Sequence, residues 1–388
     1  MSGEQVLIIG AGPTGLTLAN LLGDAGIPCL LVDRRTELPR ESRAIGVTPP
    51  SLDLLASLDL ADELIDRGVP VRDAIVSDGR RRLGSVTFRG LPGRYPFILC
   101  VPQTETMRLL ERRLSGLSSV SYRPGTEFVD HAIHAEGARA RLRDLGTGDE
   151  SASDGPLLVG CDGSRSTVRG SAGLGCRHKR YGVSFFMADF ADDSGLGPDA
   201  LLFFTPDGAV ESFPLPGGRR RWIAQTDRGP DGLTRADLVD CVRRRTGHDV
   251  GTVDGAGVSW WQPERLLCRR FHFGPVLLCG DAAHVMSPIG GQGMNTGLAD
   301  AELAARLIIR HLGGEPWEPL CATYERRRRR AFRVAADRAA LGMWIGTRTG
   351  LAGRMRALFL KYVLLGRLFA TRLPRHYAML TVPYARLP

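Results

Sequence analysis

The chain has 388 residues, 43% of them hydrophobic and 24% charged, which is ordinary for a folded protein of two domains or one large core with an insertion. No run of about 18 apolar residues predicts a membrane span, and Met1–Glu4 lack the basic start of a signal peptide, so we expect a cytoplasmic protein without a membrane partner. The net charge of +9 is concentrated in residues 301–388, but the run Arg326–Arg330 lacks interleaved aromatic residues, so we expect a solvated helix face and no nucleic-acid partner.

The first predicted elements form a β-α-β unit. The β-branched run Gln5–Ile9 predicts a buried strand that ends at Gly10. Residues Pro13–Ala25 carry leucines on one side and predict a helix, and Cys29–Val32 predict a second buried strand. This order indicates an α/β fold with a parallel sheet.

The turn between the first strand and the helix is the glycine-rich motif Gly10-Ala-Gly12-Pro13-Thr14-Gly15, of the form G-x-G-x-x-G. Gly10 permits the tight turn, Gly12 lets a pyrophosphate reach the backbone, and Gly15 lets the helix and strand pack closely. The helix N-terminus offers free N–H groups to phosphates. Asp33, 18 residues after Gly15, can accept hydrogen bonds from ribose hydroxyls. The motif predicts a dinucleotide site without specifying which dinucleotide binds.

Two segments, residues 72–98 and 179–267, contain short alternating strands such as Ser184–Asp189, separated by Gly- and Pro-rich turns. We expect them to form an antiparallel, substrate-binding sheet inserted into a discontinuous nucleotide-binding domain of residues 1–71, 99–178 and 268–345. Residues 346–388 are expected to form a C-terminal helical segment.

Several aromatic and apolar residues of the inserted segments alternate with polar ones: Phe185, Met187, Phe203, Phe213 and Trp222. This alternation has two interpretations. The side chains could line an apolar substrate cavity, or they could form ordinary sheet core. The eight cysteines form no C-x-x-C pair, which argues against a zinc site or a thioredoxin-type redox centre, and we expect no bound metal.

Two later strands each run directly into an aspartate. Residues Leu157–Cys161 precede Asp162, and Val276–Cys279 precede Gly280-Asp281-Ala-Ala-His284. With the stretch Pro288–Asn295, of the form P-x-G-G-Q-G-M-N, and the stretches Ser42–Gly46 and Val101–Gln103, these motifs resemble the FAD-dependent group A flavoprotein monooxygenases of the para-hydroxybenzoate hydroxylase fold. The matched motifs span residues 5 to 305 in the family's order.

The resemblance implies a glutathione-reductase-like FAD domain with noncovalently bound FAD. The contacts it implies are Gly10, Gly12, Pro13, Thr14, Gly15, Asp33, Arg34, Arg43, Gln103, Arg108, Asp162, Arg165, Asp281, Gly291, Gly293, Met294 and Asn295. Gly290, Gly291 and Gly293 would let the backbone lie against the flavin ring, and Pro288 and Ile289 would border the reacting carbon. A helix beginning near Met294 would direct its positive end at the reduced flavin. His284 is expected to be structural.

The resemblance also implies the activity. Family members use NAD(P)H and O₂ and transfer oxygen from a flavin C4a-(hydro)peroxide. In this family the nicotinamide nucleotide binds transiently on the FAD domain, and the absence of a second G-x-G-x-x-G from this sequence is consistent with that. The chain resembles the shorter members, including tetracycline-inactivating monooxygenases and small antibiotic-tailoring hydroxylases, since it leaves no room for the thioredoxin-like C-terminal domain of larger ones. We therefore expect hydroxylation of an aromatic or polyketide-like small molecule in antibiotic or secondary metabolism.

Two other functions stay open at this stage. A reductase of isoprenoid-like double bonds shares the fold, and a flavin-binding protein without turnover would carry the same motifs. The tryptophan spacing lacks the W-x-W-x-I-P motif of flavin-dependent halogenases. The segment Leu358–Phe369 is expected to be an amphipathic helix that packs on the FAD domain, with a monomer or a homodimer as the assembly.

Overall fold

The structure is a computed structural model that describes residues 5–39, 44–250, 257–360, 362, 365 and 372–382. The helices within those ranges are α1 (Pro13–Asp24), α2 (Pro49–Ala56), α3 (Ala61–Asp66), α4 (Gln103–Leu114), α5 (Thr167–Ser171), α6 (Arg235–Thr246), α7 (Gln292–Leu312), α8 (Trp317–Gly346), α9 (Gly350–Phe359) and α10 (Arg372–Tyr377).

The strands of the first half of the chain are β1 (Val6–Ile9), β2 (Cys29–Asp33), β3 (Gly46–Val47), β4 (Val69–Val71), β5 (Asp73–Ser77), β6 (Arg82–Thr87), β7 (Ile98–Cys100), β8 (Val120–Pro124), β9 (Thr126–His134), β10 (Gly137–Asp144), β11 (Glu150–Gly155) and β12 (Leu158–Gly160). Those of the second half are β13 (Cys176–Arg180), β14 (Ser184–Ala191), β15 (Ala200–Thr205), β16 (Gly208–Leu215), β17 (Arg219–Thr226), β18 (Ser259–Trp261), β19 (Glu264–Cys268), β20 (His272–Phe273), β21 (Val276–Leu278) and β22 (His284–Val285).

A six-stranded sheet, in the order β20-β21-β12-β1-β2-β8, forms the centre of the first unit. Its strands run parallel except for β20, which pairs antiparallel with β21. The central strands β21, β12, β1 and β2 are buried on both faces, and the helices α1 and α7 pack against each other beside them. The predicted α/β fold is confirmed. Because the carboxyl ends of parallel strands lie at one edge, the loops after β1, β12 and β21 meet there.

A seven-stranded sheet, in the order β18-β14-β17-β16-β15-β5-β6, forms the second unit. All seven strands fall within residues 72–98 and 179–267, where the inserted sheet was predicted. The pairs are antiparallel except for β5 and β15, which run parallel. The inserted sheet is therefore antiparallel, as predicted, apart from this one pair, where the chain returns from a distant segment instead of through a hairpin.

Two parts of the fold were not foreseen. Helix α6 lies within the segment predicted to hold only strands, and it packs against β14 and β17. Its start is marked by a capping box in which the Thr234 hydroxyl accepts from Asp237 N–H and the Asp237 carboxylate accepts from Thr234 N–H. The second is the antiparallel sheet β9-β10-β11, which lies between β8 and β12 in the chain.

The basic run at 326–330 is not simply a solvated helix face. Arg326 and Arg330 are exposed on α8, but Arg328 is fully buried and pairs with Asp300 of α7. Arg329 donates to the carbonyls of Cys268 and Arg269 at 3.0 and 2.8 Å. Part of this charge therefore holds α8 onto the first unit.

The predicted helix at Leu358–Phe369 lies largely outside the described residues. The described parts of the C-terminal segment are α9, which contacts β15, and α10, which contacts β6. Within the ranges given above, no helix is both long and apolar enough to cross a bilayer.

Candidate functional site

A cavity of about 830 Å³ runs between the two units. One end is lined by the loops after β1, β12 and β21, at the carboxyl edge of the parallel sheet. The other end is lined by the inserted sheet, from β14 across to β6. We call these the dinucleotide end and the sheet end.

The glycine-rich turn after β1 has two packing glycines and one open glycine. A Cβ on Gly10 would lie 2.6 Å from the Cys161 carbonyl oxygen, and one on Gly15 would lie 1.9 Å from the Gly10 carbonyl oxygen. A Cβ on Gly12 would meet no atom within 4 Å, although Gly12 lines the cavity with Pro13 and Thr14. The turn therefore packs β1, β12 and α1 closely while leaving space for a phosphate beside the N-terminus of α1.

Asp33 lines the dinucleotide end, but its oxygens already accept hydrogen bonds. Oδ2 accepts from Ala11 N–H at 2.7 Å and from Arg35 Nη2 at 2.9 Å, and Oδ1 accepts from Arg35 N–H at 2.8 Å. Burial alone would raise the pKa of Asp33, but the hydrogen bonds and charge of Arg35 hold it below its usual value. The carboxylate is therefore ionised and fixed. Arg34 and Arg35 line the same end, and the sequence analysis missed Arg35.

The loop after β12 presents one carboxylate oxygen without a described partner. Asp162 Oδ2 accepts from the backbone N–H of Thr167 and Val168 at 2.7 and 3.1 Å, which fixes the start of α5. Its Oδ1 is buried, and no described residue donates to it. Burial raises the pKa of this carboxyl. Arg165 lines the cavity beside it.

Arg169 connects this loop to the one after β21. It donates from Nη1 to the Ala282 carbonyl at 3.0 Å and from Nη2 to the Ser164 carbonyl at 2.8 Å. Arg169 therefore fixes the position of the loop after β12 relative to the loop after β21.

Asp281 projects into the cavity from the loop after β21, where the wall keeps it from bulk water and raises the pKa of its carboxyl to about 6. The loop itself is held by Asp300 of α7, whose Oδ2 accepts from Gly280 N–H at 2.9 Å. Asp300 also pairs with Arg328 and lies 2.7 Å from His284 Nε2. Burial alone would raise the pKa of Asp300, but these two partners lower it to about 2.

His284 is buried and does not line the cavity. Its contact with Asp300 accords with the structural role expected for it. Asp300 and Arg328 were missed, although Tyr324, Arg328 and Phe332 recur every four residues on the buried stripe of α8.

The loop Pro288–Met294 crosses the middle of the cavity. Gly290 and Gly291 have φ of 86° and 66°, a left-handed conformation that side chains disfavour. Helix α7 begins at Gln292, two residues earlier than expected, and its N-terminus carries Gly293 and Met294 in the cavity wall.

Asn295 does not line the cavity within the described structure. Its Nδ2 donates to the carbonyls of Gly46 and Gly291 at 2.9 and 2.7 Å, and its Oδ1 accepts from Thr48 N–H at 3.0 Å. Asn295 therefore holds the loop against β3, and its direct contact with FAD stays a prediction.

The sequence analysis expected three residues on or near α4 to contact FAD, and each has a different outcome. Gln103, at the start of α4, lines the cavity. Arg108 is half exposed, pairs with Glu105 and lies outside the cavity wall, so its contact with FAD stays a prediction that this position does not support. Five residues along a helix turn a side chain roughly 140° away from the first. Arg43 lies outside the described residues.

The sheet end is apolar, and strand alternation decides which residues face it. Phe185 and Met187 of β14 and Phe213 of β16 line the cavity. Phe203 and Trp222 do not, so the cavity interpretation is wrong for these two. They face the opposite side of the sheet, where their rings stack with centroids 6.3 Å apart and pack with α6. Pairing of Met187 with Ile223 puts Trp222 on the other face, because successive side chains alternate.

The sheet end also contains residues that the sequence analysis did not select. They include Glu211 of β16, Tyr377 of α10 and Trp261 of β18. Glu211 alternates with Ala209 and Phe213 along its strand and so shares one face of the sheet with them. An acidic residue on an otherwise apolar face was the sequence pattern that could have identified it.

Residues 4–339 match the protein family described as FAD binding domain. The chain is 36% identical over 359 residues to 6-methylpretetramide 4-monooxygenase from Streptomyces rimosus, covering 90% of this chain and 62% of that protein. It is 31% identical over 333 residues to pentachlorophenol 4-monooxygenase from Sphingobium chlorophenolicum, covering 83% and 61%. A solved anhydrotetracycline hydroxylase from Streptomyces rimosus is similar with a TM-score of 0.82 and 26% identity, over 98% of this chain and 77% of that one.

The chain thus spans 62% and 61% of the length of these two curated relatives. All three similar proteins carry names that describe oxygenation of an aromatic or polycyclic compound.

Proposed function

The chain belongs to the FAD-binding-domain family, and on that premise we propose that it is an NAD(P)H- and O₂-dependent monooxygenase of an aromatic or polyketide-like small molecule. The observation that carries this proposal is the continuity of the cavity. Its dinucleotide end has a phosphate-compatible turn and ionised Asp33, its sheet end is apolar, and the loop Pro288–Met294 lies between them. A dinucleotide and an aromatic ring held at the two ends would meet at that loop.

The residues present fit FAD. Gly12 leaves open space at the N-terminus of α1, and Asp162 Oδ1 is a buried acceptor without a described partner. Gln103, Asp281 and Met294 line the cavity between these positions. When bound, FAD would supply the redox chemistry that takes electrons from NAD(P)H and passes oxygen to the substrate.

The N-terminus of α7 would stabilise negative charge on the bound cofactor. Its first N–H groups have no partner within the helix, and Gly291 and Gly293 place no side chain between them and the cavity. Preorganised donors of this kind need not reorient as charge develops, which is the usual source of electrostatic stabilisation in enzymes.

The sheet end would bind a planar apolar substrate and exclude water. Phe185 and Trp261 stack with ring centroids 5.8 Å apart on one side, and Phe213 and Ile223 extend the apolar wall. Apolar walls with a few polar groups are typical of sites for aromatic ligands. The relatives named for tetracycline precursors and for pentachlorophenol support this substrate class.

The proposal is tested on the purified, FAD-loaded protein. Acid denaturation is expected to release FAD, and NADH or NADPH is expected to reduce it under anaerobic conditions. A panel of phenols and polycyclic phenols is then supplied with ¹⁸O₂, and the product is expected to gain one ¹⁸O atom. Reduction of a double bond without O₂ uptake would instead support the isoprenoid-type reductase. Tight FAD with no NAD(P)H oxidation for any compound would support a binding protein without turnover.

A further inference from the structure

Glu211 is a carboxylate in an apolar wall. It lies in the central strand of the seven-stranded sheet and lines the cavity. Its cross-strand partners are Leu202 of β15 and Ile223 of β17, and both line the cavity beside it. Along its own strand the neighbours on the same face are Ala209 and Phe213. Carboxylates are almost never placed in such surroundings unless they are paired.

No described residue donates a hydrogen bond or provides an ion pair to Glu211. Arg221 shares the same face of β17, but its guanidinium is bound to both oxygens of Asp189 at 2.6 and 2.9 Å. Tyr377 of α10 is the titratable group that faces Glu211, and it also contacts the position of Gly290 in the central loop. Burial and then the charge of Glu211 raise the pKa of Tyr377, so this phenol stays neutral.

The arginine side chains that line the cavity are at the other end of it from Glu211. Arg34, Arg35 and Arg165 all line the dinucleotide end. Among the described residues that line the sheet end, none is Lys or Arg. A ligand at this end would therefore meet the Glu211 carboxylate, which is both a hydrogen-bond acceptor and a negative charge. It would meet no described lining Lys or Arg side chain that could bind a carboxylate on the ligand.

We propose that Glu211 selects the substrate, by accepting a hydrogen bond from a hydroxyl on a neutral aromatic or enolic ring and by disfavouring ligands that carry a negative charge there. This inference rests on the proposed function, because it concerns the ring that the sheet end would hold. An acceptor that lies in an apolar wall without a protein donor costs free energy, and a ligand hydroxyl recovers part of that cost. A carboxylate placed beside Glu211 would instead add like-charge repulsion in a site of low polarity.

The same contact allows a proton transfer. The hydroxyl O–H bond of the ligand breaks, the proton forms a new O–H bond on a Glu211 carboxyl oxygen, and the electron pair stays on the ring oxygen. The ring carbons ortho and para to that oxygen become more electron-rich. Burial raises the pKa of Glu211 to about 7, so the acceptor form is populated near neutral pH and the neutral form below it.

The test uses two probes with the same ring, 2-naphthol and 2-naphthoate, which carry a hydroxyl or a carboxylate at the same position, and binding to the FAD-loaded protein is measured by calorimetry. At pH 8 the unmodified protein is expected to bind the naphthol at least about tenfold more tightly, the size of one charge-assisted hydrogen bond. Glu211→Gln keeps the shape and is expected to reduce the preference to below about threefold, since the neutral amide no longer repels the anion. Asp207→Asn is the matched control, because it removes an exposed carboxylate from the turn of the same hairpin, outside the cavity wall.

The pH dependence separates charge from shape. Between pH 6 and pH 8 the affinity of the unmodified protein for 2-naphthol is expected to rise as Glu211 ionises, while that of Glu211→Gln stays flat. Equal preferences in the unmodified protein and Glu211→Gln, a preference for the carboxylate, or no naphthol binding would each overturn the inference.

The two proposals fail separately. Bound FAD and ¹⁸O incorporation with an unchanged ligand preference in Glu211→Gln would leave the monooxygenase function and reject the role of Glu211. A naphthol preference that Glu211→Gln removes, in a protein that never oxidises NAD(P)H, would support the role and reject the function.

Discussion

Replacing Asp300 by asparagine is expected to destabilise the protein through Arg328. Asp300 and Arg328 are 0% and 1% exposed, so neither charge can recover hydration if its partner is lost. An asparagine can still accept from Gly280 N–H, but its amide NH₂ cannot pair with a guanidinium. The variant would therefore bury a guanidinium that has lost the Asp300 carboxylate, next to the loop that carries Asp281.

Breaking a buried pair by removing one partner costs about 3–5 kcal/mol. At roughly 2 °C for each kcal/mol, the thermal midpoint is expected to fall by about 6–10 °C. The midpoint is measured on the FAD-loaded protein from the rise in flavin fluorescence and from circular dichroism at 222 nm. Adding Arg328→Met to Asp300→Asn removes the orphaned charge and is expected to recover part of the loss.

Glu302→Gln is the control, because Glu302 lies on the same helix and pairs with Arg306 at 2.7 Å, with the arginine side chain 45% exposed. A pair of this kind contributes about 0.5 kcal/mol, so the midpoint is expected to move by roughly 1 °C. A midpoint for Asp300→Asn within about 2 °C of the unmodified protein would refute the reasoning. So would an equal loss in Glu302→Gln, since burial would then not set the cost.

Asp281→Asn is expected to weaken FAD binding by about tenfold to a hundredfold, because it removes a charged acceptor from the cavity wall; an unchanged FAD dissociation constant in equilibrium dialysis would contradict this. Gly12→Val is expected to fold but to purify without FAD, since its Cβ meets no protein atom within 4 Å, whereas Gly15→Ala is expected to lose folded yield because its Cβ meets the Gly10 carbonyl oxygen at 1.9 Å. Circular dichroism and FAD content distinguish the two, and a folded, FAD-loaded Gly12→Val would refute the assignment. Glu211 has a folded-state pKa of about 7 against an ordinary 4.5, so the stability that its neutral form contributes is complete below about pH 4.5 and is lost as the pH rises through about 7. Relative to Glu211→Gln, the unmodified protein is expected to lose up to about 3 kcal/mol of unfolding free energy over that interval, and parallel pH profiles from urea titrations would rule this out.

The dinucleotide end could be predicted from the sequence because its signals are local. The strand at 6–9, the turn at 10–15 and the helix at 13–24 follow directly from neighbouring residues. The two later loops at this end were predicted in the same way, because each follows a buried strand that runs directly into an aspartate. The carboxyl edge of a parallel sheet then brings Asp33, Asp162 and Asp281 to one cavity without further information.

Two side chains differ from the expectation for another reason, which is the direction in which each side chain points. Arg108 was expected at the cofactor, but the turn of α4 carries it away from Gln103 to Glu105. Asn295 lies in α7 directly after the loop, and its amide holds that loop to β3. Neither difference can be read from the residue types, because helical phase and hydrogen-bond partners depend on what packs nearby.

The sequence by itself determined the family, the α/β fold and the turn and aspartate loops that line one end of the cavity, because strand, turn and helix signals lie within a few residues of one another. Only the tertiary structure decided which face of the inserted sheet meets the cavity. Alternation gives each strand two faces, and the pairing of Met187 and Glu211 with Ile223 fixes which one is turned inward. That register, set between strands distant in the chain, buries Phe203 and Trp222 behind the sheet and places Glu211 in the cavity wall.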